Sequence, residues 1–335
     1  MSYGISSVDC QDRRSMAEIE RLLQEEGLRP DKHADYICAM FDENNHAIAT
    51  GCCVGNTLRC FAVSSSHRGE GLLNQILYHL TEVQISRGNS HLFLYTKPET
   101  APMFGDLGFH EIARVENRVV FMENRRSGFP GYLSNLASTR RDGVSAAIVM
   151  NANPFTLGHQ YLAEQASAAC DTLHIFVVSE DVSQFPFSVR RRLVADGTRH
   201  LSNVVLHDCG PYIISAATFP SYFLPDDTDA AELQARLDVA VFARIAQTLN
   251  ITQRWAGEEP QSPVTRLYNR VMSEELPKSG IRFIEISRKK TGGAIISAST
   301  VRALIRSNDF SALEHYLPPT TLEYLMNNQK TLPSA

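Results

Sequence analysis

The chain has 335 residues, more than one typical domain holds, so two domains are expected. Hydrophobic residues make up 43% and charged residues 21%, as in a globular protein with hydrophobic cores. The formal net charge of −5 provides no basic excess to attract nucleic-acid phosphates. We therefore expect no nucleic-acid partner.

The seven cysteines are scattered without a C-x-x-C pair, which indicates reduced thiols and not a thiolate metal site. No apolar run reaches the roughly 18 residues that a membrane helix needs, and the first residues lack a signal-peptide pattern. These features predict a cytoplasmic protein without a membrane partner.

The first third of the chain predicts an α+β domain. Apolar periodicity indicates, in chain order, helix 15–27, strands 36–41, 47–54 and 58–63, helix 70–87, strand 91–96, helix 101–107 and strands 110–115 and 118–122. The segment 123–143 is rich in Gly, Ser, Arg and Asn and has no sustained period. We therefore take 1–122 as the first domain and 123–143 as a linker.

From residue 144 strands and helices alternate. The expected elements are strand 146–150, helix 158–169, strand 172–179, helix 188–201, strand 204–207, helix 230–249, strand 252–256, helix 263–276, strand 281–286 and helix 298–307. Such alternation is typical of a parallel sheet with helices on both faces. Residues 144–335 are therefore predicted to form a doubly wound, Rossmann-like α/β domain.

A polar loop joins the first of these strands to its helix. It reads Asn151-Ala-Asn153-Pro154-Phe155-Thr156 and leads into Gly158 and His159. Free backbone N–H groups and the helix dipole favour an anion at such a helix start, and glycine lets a phosphate come close. A Gly-His pair alone more often marks a turn and a helix cap, so the prediction of an anion site depends on its context.

A second hydroxyl-rich turn starts the last predicted helix. It contains Ser297, Ser299, Thr300 and Arg302. Alone, I-S-x-S is a common helix cap. Together, the T-x-G-H loop and the I-S-x-x-x-x-R turn resemble, in order and spacing, the two signature motifs of the nucleotidylyltransferase superfamily over residues 143–335.

This resemblance implies an ATP site. Thr156 and His159 would stabilise the α-phosphate, and Arg302 would hold the triphosphate tail together with the hydroxyls of Ser297, Ser299 and Thr300. Asn151 and Asn153 would orient phosphate or acid, with Pro154, Phe155 and Gly158 lining the same loop. Mg²⁺ is expected on the ATP phosphates, without a metal site in the protein.

The T-x-G-H variant resembles the phosphopantetheine adenylyltransferase branch, in which a Lys after the second strand also neutralises the phosphate. Residues 179–188 contain no Lys or Arg. The missing cation is therefore expected from Arg190, Arg302, residues 288–290 or the metal.

The first domain carries a separate loop, in which Arg68, Gly69 and Gly71 precede a predicted helix. Successive backbone N–H groups there could hold a pyrophosphate. This loop and the segment from Thr96 to Phe109 resemble the GNAT acetyltransferase fold. Phe104 stands where many GNAT enzymes have a Tyr that protonates the leaving thiolate, which speaks against a free-standing acetyltransferase.

Two further stretches extend the resemblance to most of the chain. Gly257, Glu258 and Glu259 end a predicted strand, and residues 215–223 contain Phe219, Tyr222 and Phe223. Taken alone, these read as an acidic turn and core aromatics. Set around the other motifs, they resemble the citrate lyase ligase family. This resemblance implies that residues 257–259 lie near the nucleotide.

That family resemblance implies ATP-dependent acetylation. Acetate would react with ATP to give acetyl-adenylate and diphosphate. The acetyl group would then pass to the thiol of a dephospho-CoA-type prosthetic group on the citrate lyase acyl-carrier subunit, with release of AMP. The GNAT-like loop at residues 68–71 would contact the pantetheine-bearing arm.

Three alternatives stay open at this point. The chain could be a nucleotidylyltransferase that adenylates a phosphorylated acceptor and carries a CoA-sensing regulatory domain. It could be a non-enzymatic module that senses CoA and ATP. It could also be a GNAT acetyltransferase that uses acetyl-CoA.

Overall fold

The computed structural model describes residues 3–179, 183–213, 222, 227–259 and 262–329. The chain divides into two compact units, one formed by Met1–Gly131 with Thr218–Leu237 and the other by Tyr132–Ala217 with Asp238–Ala335. The sequence instead predicts that the first domain ends at residue 122 and the second begins at residue 144, and these limits stay predictions.

The first unit contains a mixed sheet. Among its described residues the strands are β1 (Ile5–Ser7), β2 (Tyr36–Phe41), β3 (Ala47–Val54), β4 (Thr57–Val63), β5 (Phe93–Thr96), β6 (His110–Val115) and β7 (Val119–Glu123). Their order across the sheet is β1-β2-β3-β4-β5-β7-β6. Only β4 and β5 pair in parallel among these neighbours, and their paired residues lie at the amino ends of both strands. The carboxyl ends of β4 and β5 are thus left to line a cavity.

Helices cover both faces of this sheet. The helices that begin in this unit's first segment are α1 (Arg13–Glu25), α2 (Leu72–Ser86), α3 (Ala101–Asp106) and α4 (Gly128–Ala137). Leu22 and Leu23 of α1 are buried in one apolar cluster, whereas Ile76 and Leu80 of α2 are buried in the other. Because side chains alternate between the faces of a strand, the two helices use different residues of the same strands. The predicted α+β domain is confirmed.

The second unit contains a five-stranded parallel sheet. Its strands are β8 (Ser145–Met150), β9 (Thr172–Val177), β10 (Val204–Asp208), β11 (Ile251–Gly257) and β12 (Arg282–Ile286). Among the described residues its helices are α5 (Leu157–Ser167), α6 (Phe187–Thr198), α7 (Asp227–Leu249), α8 (Pro263–Glu275), α9 (Ala298–Arg306) and α10 (Pro319–Asn327), and of α7 only residues 238–249 belong to this unit. A hairpin is formed by β13 (Lys290–Thr291) and β14 (Ala294–Ile295). The strand order β10-β9-β8-β11-β12 confirms the predicted doubly wound fold.

The strand order reverses between β8 and β11. In open parallel sheets a crevice opens outside the carboxyl ends of the strands at this switch point, and ligands bind there. The loop after β8 leads directly into α5, so the T-x-G-H residues are delivered to the crevice. The switch point of the sheet and the T-x-G-H motif therefore indicate the same ligand site, at the carboxyl end of β8.

Some elements of the structure do not show in the sequence pattern. The segment 123–143, predicted as a linker, contains α4, whose Phe129 and Leu136 are buried although Pro and Gly interrupt its pattern. The Gly292-Gly293 turn between β13 and β14 also went unrecognised, although two glycines favour a tight hairpin. Among the described residues, no helix combines the length and apolarity needed to cross a membrane.

Candidate active site

The first turn of α5 is fixed by a reciprocal cap between Thr156 and His159. The Thr156 hydroxyl accepts the His159 backbone N–H at 3.4 Å, and the Thr156 backbone N–H donates to His159 Nδ1 at 3.1 Å. The Thr156 hydroxyl oxygen also lies 2.9 Å from Nδ1. Because Nδ1 accepts a hydrogen bond, we infer that the proton of a neutral ring is on Nε2.

His159 is held in this neutral form. Burial, together with the nearby Arg288 guanidinium, lowers the pKa of His159 to about 4. The ring stacks on Phe155 with 5.7 Å between the ring centroids, which fixes its plane. At neutral pH the side chain is therefore an oriented Nε2–H donor and carries no positive charge.

The start of α5 leaves one backbone donor open. Leu157 N–H donates to the Tyr316 carbonyl at 2.9 Å, and His159 N–H is taken by the cap. The N–H of Gly158 has no acceptor in the part of the chain that the structure describes. A Cβ at Gly158 would lie 3.3 Å from the Ile296 carbonyl oxygen, so a side chain would crowd the second motif.

The start of α9 supplies the other half of the site. The Ser297 hydroxyl caps the helix by accepting the Thr300 N–H at 3.1 Å. Across the described ranges, the N–H groups of Ala298 and Ser299 have no acceptor. Arg302 donates to the Asn153 carbonyl at 2.6 Å and to the Ser299 hydroxyl at 3.1 Å, so it ties the two motifs together.

One cavity of about 630 Å³ in the second unit brings together most of the predicted residues. The predicted residues that line it are Asn151, Asn153, Thr156, Gly158, His159, Gly257, Glu259, Ser297, Ser299 and Arg302. Helix N–H groups, hydroxyls and a guanidinium thus face one space, an arrangement suited to a polyphosphate.

The structure places four other predicted residues beside this cavity and not in its lining. Phe155 is fully buried in the core and Pro154 is buried next to it. The Thr300 hydroxyl lies 2.8 Å from the capping Ser297 hydroxyl. The carbonyl of Glu258 accepts a hydrogen bond from Arg288. Their predicted binding roles stay predictions.

Arg190 is fully buried beneath the loop that follows β8. Its guanidinium donates to the carbonyl oxygens of Asn151, Val178 and Phe185 at 2.7–2.9 Å. These three hydrogen bonds to backbone carbonyls hold the loops that follow β8 and β9, and Arg190 is not among the residues that line the cavity. The prediction that Arg190 contacts ATP remains untested, and its geometry assigns it to loop positioning.

The charge of the cavity is mostly positive. Among the described residues that line it, the charged side chains other than histidine are Arg254, Arg288, Lys289, Arg302 and Glu259. Glu259 is paired with Arg288, whose Nε also donates to the Glu258 carbonyl at 2.7 Å. Arg288, Lys289 and Arg302 are therefore candidates for the cation that residues 179–188 lack.

Arg254 is a lining residue that no sequence motif marks. It occupies the middle of β11, 5% exposed, in a strand whose other inward residues are apolar. The signal that could have found it is a charged residue inside a strand of a buried parallel sheet, where near-continuous apolar runs are the rule.

The described residues offer no protein site for Mg²⁺. They contain no cluster of three or more His, Cys, Asp or Glu side chains placed to hold a metal ion. Among the lining residues that the structure describes, the single carboxylate is that of Glu259, which is paired with Arg288. Hard cations need several oxygen ligands, so the lining does not fit a resident metal.

The first unit has its own cavity, of about 700 Å³, at the carboxyl ends of β4 and β5. The predicted residues Arg68, Gly69 and Gly71 line it. Both glycines have positive φ, which other residues adopt at a cost, and Gly71 forms the amino end of α2. Arg68 is an exposed side chain paired with Glu26 at 2.5 Å.

Aromatic side chains form one wall of this cavity. Phe104 lines it and packs on Phe61 with 5.3 Å between the ring centroids. Tyr222 also lines it and donates to the Tyr95 carbonyl at 3.0 Å. The other two aromatics of the 215–223 stretch, Phe219 and Phe223, lie outside the described residues.

The chain is similar to curated proteins over nearly its whole length. Residues 145–325 match the citrate lyase ligase C-terminal domain family. The citrate (pro-3S)-lyase ligase of Haemophilus influenzae is 39% identical over 321 residues, 94% of this chain and 96% of that protein. The one from Klebsiella pneumoniae is 40% identical over 94% of both chains. The one from Escherichia coli is 38% identical over 94% of this chain and 92% of its own.

Proposed function

The chain belongs to the citrate lyase ligase family, and from this premise we propose how it acetylates citrate lyase with ATP. The proposed acyl donor is acetate. The proposed acceptor is the thiol of a dephospho-CoA-type prosthetic group on the acyl-carrier subunit. The observation that carries this proposal is the meeting of the T-x-G-H and I-S-x-x-x-x-R motifs at one cationic cavity.

The first step forms an acetyl-adenylate. A carboxylate oxygen of acetate forms a bond to the α-phosphorus of ATP, and the bond from that phosphorus to the bridging oxygen of the β-phosphate breaks. Diphosphate leaves with the electron pair. Such displacements need alignment and charge neutralisation more than covalent help from the protein.

Different donors would bind the α-phosphate and the departing diphosphate. The Nε2–H of His159 and the open N–H of Gly158 would bind oxygens of the α-phosphate, where negative charge develops. The start of α9 and Arg302 would hold the departing diphosphate. Mg²⁺ would enter on the ATP phosphates.

Arg288 and Lys289 supply further positive charge in the same lining. They provide the neutralisation for which phosphopantetheine adenylyltransferases use a Lys after their second strand. Arg190 would act indirectly, because its bonds to the Asn151 and Val178 carbonyls position the loops that end β8 and β9.

The second step transfers the acetyl group. The thiolate sulfur attacks the acetyl carbonyl carbon, the carbon–oxygen bond to the phosphate breaks, and AMP leaves while the thiol proton goes to solvent. The cavity of the first unit would bind the pantetheine-bearing arm, with the loop at Arg68–Gly71 contacting its phosphates. Phe104 has no hydroxyl to protonate a thiolate, which fits a binding role for this cavity.

Acetate-dependent exchange between ATP and labelled pyrophosphate tests the first step. We expect exchange with acetate alone, followed by AMP and thioester formation when the deacetylated acyl-carrier subunit is added. Exchange that needs a phosphorylated acceptor would favour a nucleotidylyltransferase instead. Binding of ATP without any exchange would favour a sensor. The cytoplasmic location and the absence of membrane and nucleic-acid partners remain predictions from composition.

A further inference from the structure

Arg254 is a buried cation that the proposed roles above leave unused. It lies in the middle of β11, opposite Ala147 of β8 and Phe283 of β12. Its Nε and Nη1 are enclosed and have no hydrogen-bond partner within the described ranges. The same side chain lines the cavity that holds His159. An enclosed guanidinium with two unused donors therefore borders the nucleotide cavity.

Such a group is costly to leave without an anion. Burial lowers the pKa of Arg254 to about 10, although Asp238 and Cys209 favour its charged form. Asp238 accepts a hydrogen bond from Tyr268, so its carboxylate also serves another donor. Burying a charge whose donors are not all satisfied destabilises a fold, so buried charges are as a rule paired and hydrogen-bonded.

The surroundings of Arg254 favour a small ligand with an apolar end. The Phe242 ring covers one face of the guanidinium at 4.5 Å. A hydrogen-bond partner of its N–H groups would therefore have to lie in the plane of the guanidinium. Val149, Ala256 and Met272 line the cavity alongside it. Arg254 also lies three residues before Gly257, about 10 Å along the strand from its carboxyl end. The phosphate-binding groups lie at that end, on α5 and α9.

We propose that Arg254 binds the carboxylate of the acid substrate, with the apolar side chains around it receiving the acid's methyl group. This inference rests on the proposed function, because it assigns the acid a place beside the α-phosphate site. A guanidinium matches a carboxylate with parallel N–H···O bonds, which no helix N–H group in the cavity offers. The triphosphate has its own donors at the helix starts, so Arg254 serves the acid and not the nucleotide.

The test compares Arg254→Met with Arg254→Lys in pyrophosphate exchange at varied acetate. For Arg254→Met we expect the KM for acetate to rise about 10- to 100-fold, the range for a lost hydrogen bond to a charged group. The KM for ATP stays within about twofold, and Arg254→Lys recovers part of the loss because it keeps the charge. Arg192→Met, on the exposed side of α6, is the matched control and leaves both constants unchanged.

A second readout separates a ligand role from a structural one. Acetyl-adenylate has no free carboxylate, so Arg254→Met supplied with it should acetylate the acyl-carrier thiol at close to the wild-type rate. If transfer from acetyl-adenylate falls together with exchange, or both KM values rise equally, Arg254 is structural and the proposal is wrong.

Direct binding keeps the inference distinct from the proposed function. Line broadening of ¹³C-labelled acetate by the protein with ATP bound should be strong for wild type and lost in Arg254→Met. If wild type shows no exchange but binds acetate through Arg254, the proposed reaction fails and the carboxylate site stands. If acetate broadening is the same in both proteins, the carboxylate site is refuted.

Discussion

Replacing His159 by Ala removes two different interactions at once. One is the Nε2–H donor of a side chain that lines the cavity, which would bind the α-phosphate. The other is the Nδ1 acceptor, which satisfies the backbone N–H of Thr156. A substitution series must separate these two losses, because the first concerns catalysis and the second concerns the stability of the α5 start.

The structure allows both magnitudes to be worked out. Loss of a single donor to developing charge typically costs about 10²- to 10³-fold in rate, and we expect a fall of about 10²- to 10⁴-fold because the ring also positions the cap. Thr156 is 1% exposed, so its N–H cannot turn to water. A buried donor left without a partner costs about 1–3 kcal/mol. The free energy of unfolding should fall by that amount, which a domain of ordinary stability survives.

The variant His159→Gln separates the two effects. Gln at the third helical position is a regular capping-box residue, whose amide oxygen can accept the Thr156 N–H. We expect His159→Gln to keep most of the stability and to lose most of the exchange rate. His200→Ala, which removes an exposed histidine of the same unit, should change neither.

Two measurements decide the outcome. Acetate-dependent pyrophosphate exchange gives the rate, and urea unfolding gives the stability of each variant. Exchange by folded His159→Ala at close to the wild-type rate would refute the role of the Nε2–H donor. A stability of His159→Ala equal to that of wild type would instead refute the reciprocal cap.

Three further substitutions probe other parts of the molecule. Arg302→Met should raise the KM for ATP in exchange about 10- to 100-fold, because it removes a charged donor to the triphosphate; an unchanged KM contradicts this role. Burial lowers the pKa values of His174 and His207 to about 4, below the usual 6.5, so both stay neutral when folded. The stability they contribute is complete above pH 6.5 and is lost as the pH falls towards 4, by about 3 kcal/mol for each ring. The urea midpoint of the His174→Asn/His207→Asn double variant should therefore fall less over this pH range than that of the wild type, and an equal fall contradicts the assignment. Arg68→Ala should raise the KM for the acyl-carrier subunit about 3- to 10-fold and leave the rate of pyrophosphate exchange unchanged. Arg21→Ala, which removes another exposed and paired arginine of the first unit, should alter neither quantity. A changed exchange rate in Arg68→Ala would contradict separate roles for the two cavities.

The arrangement of the second unit could be predicted because its signals are local. Strands β8, β9 and β10 are mostly apolar runs and each is followed by a helix, and both signals lie within a short stretch of sequence. Helix α4 escaped prediction because Pro130 and Gly131 weaken its intrinsic propensity. Its start is held by a side-chain bond instead, from the Phe129 N–H to the Glu123 carboxylate at 2.5 Å, which helix propensity does not reveal.

The site was predictable where its groups belong to a motif and not where they depend on burial. Thr156, Gly158 and His159 act through one helix start, so their spacing carries the prediction. Arg190 and Arg254 differ in role only through what surrounds them, namely three carbonyl acceptors for one and a cavity wall for the other. Sequence spacing contains no record of such surroundings.

The bond from Arg302 to the Asn153 carbonyl joins groups 149 positions apart. Closing so long a segment costs chain entropy before the contact forms, so we expect the halves of the ATP site to meet late in folding. A nascent chain that ends before α9 has the T-x-G-H loop but not its partner. ATP should then bind only the completed fold and stabilise it by mass action. Protection of α9 against hydrogen exchange should accordingly rise with ATP concentration, and a chain that lacks α9 should not be stabilised by ATP.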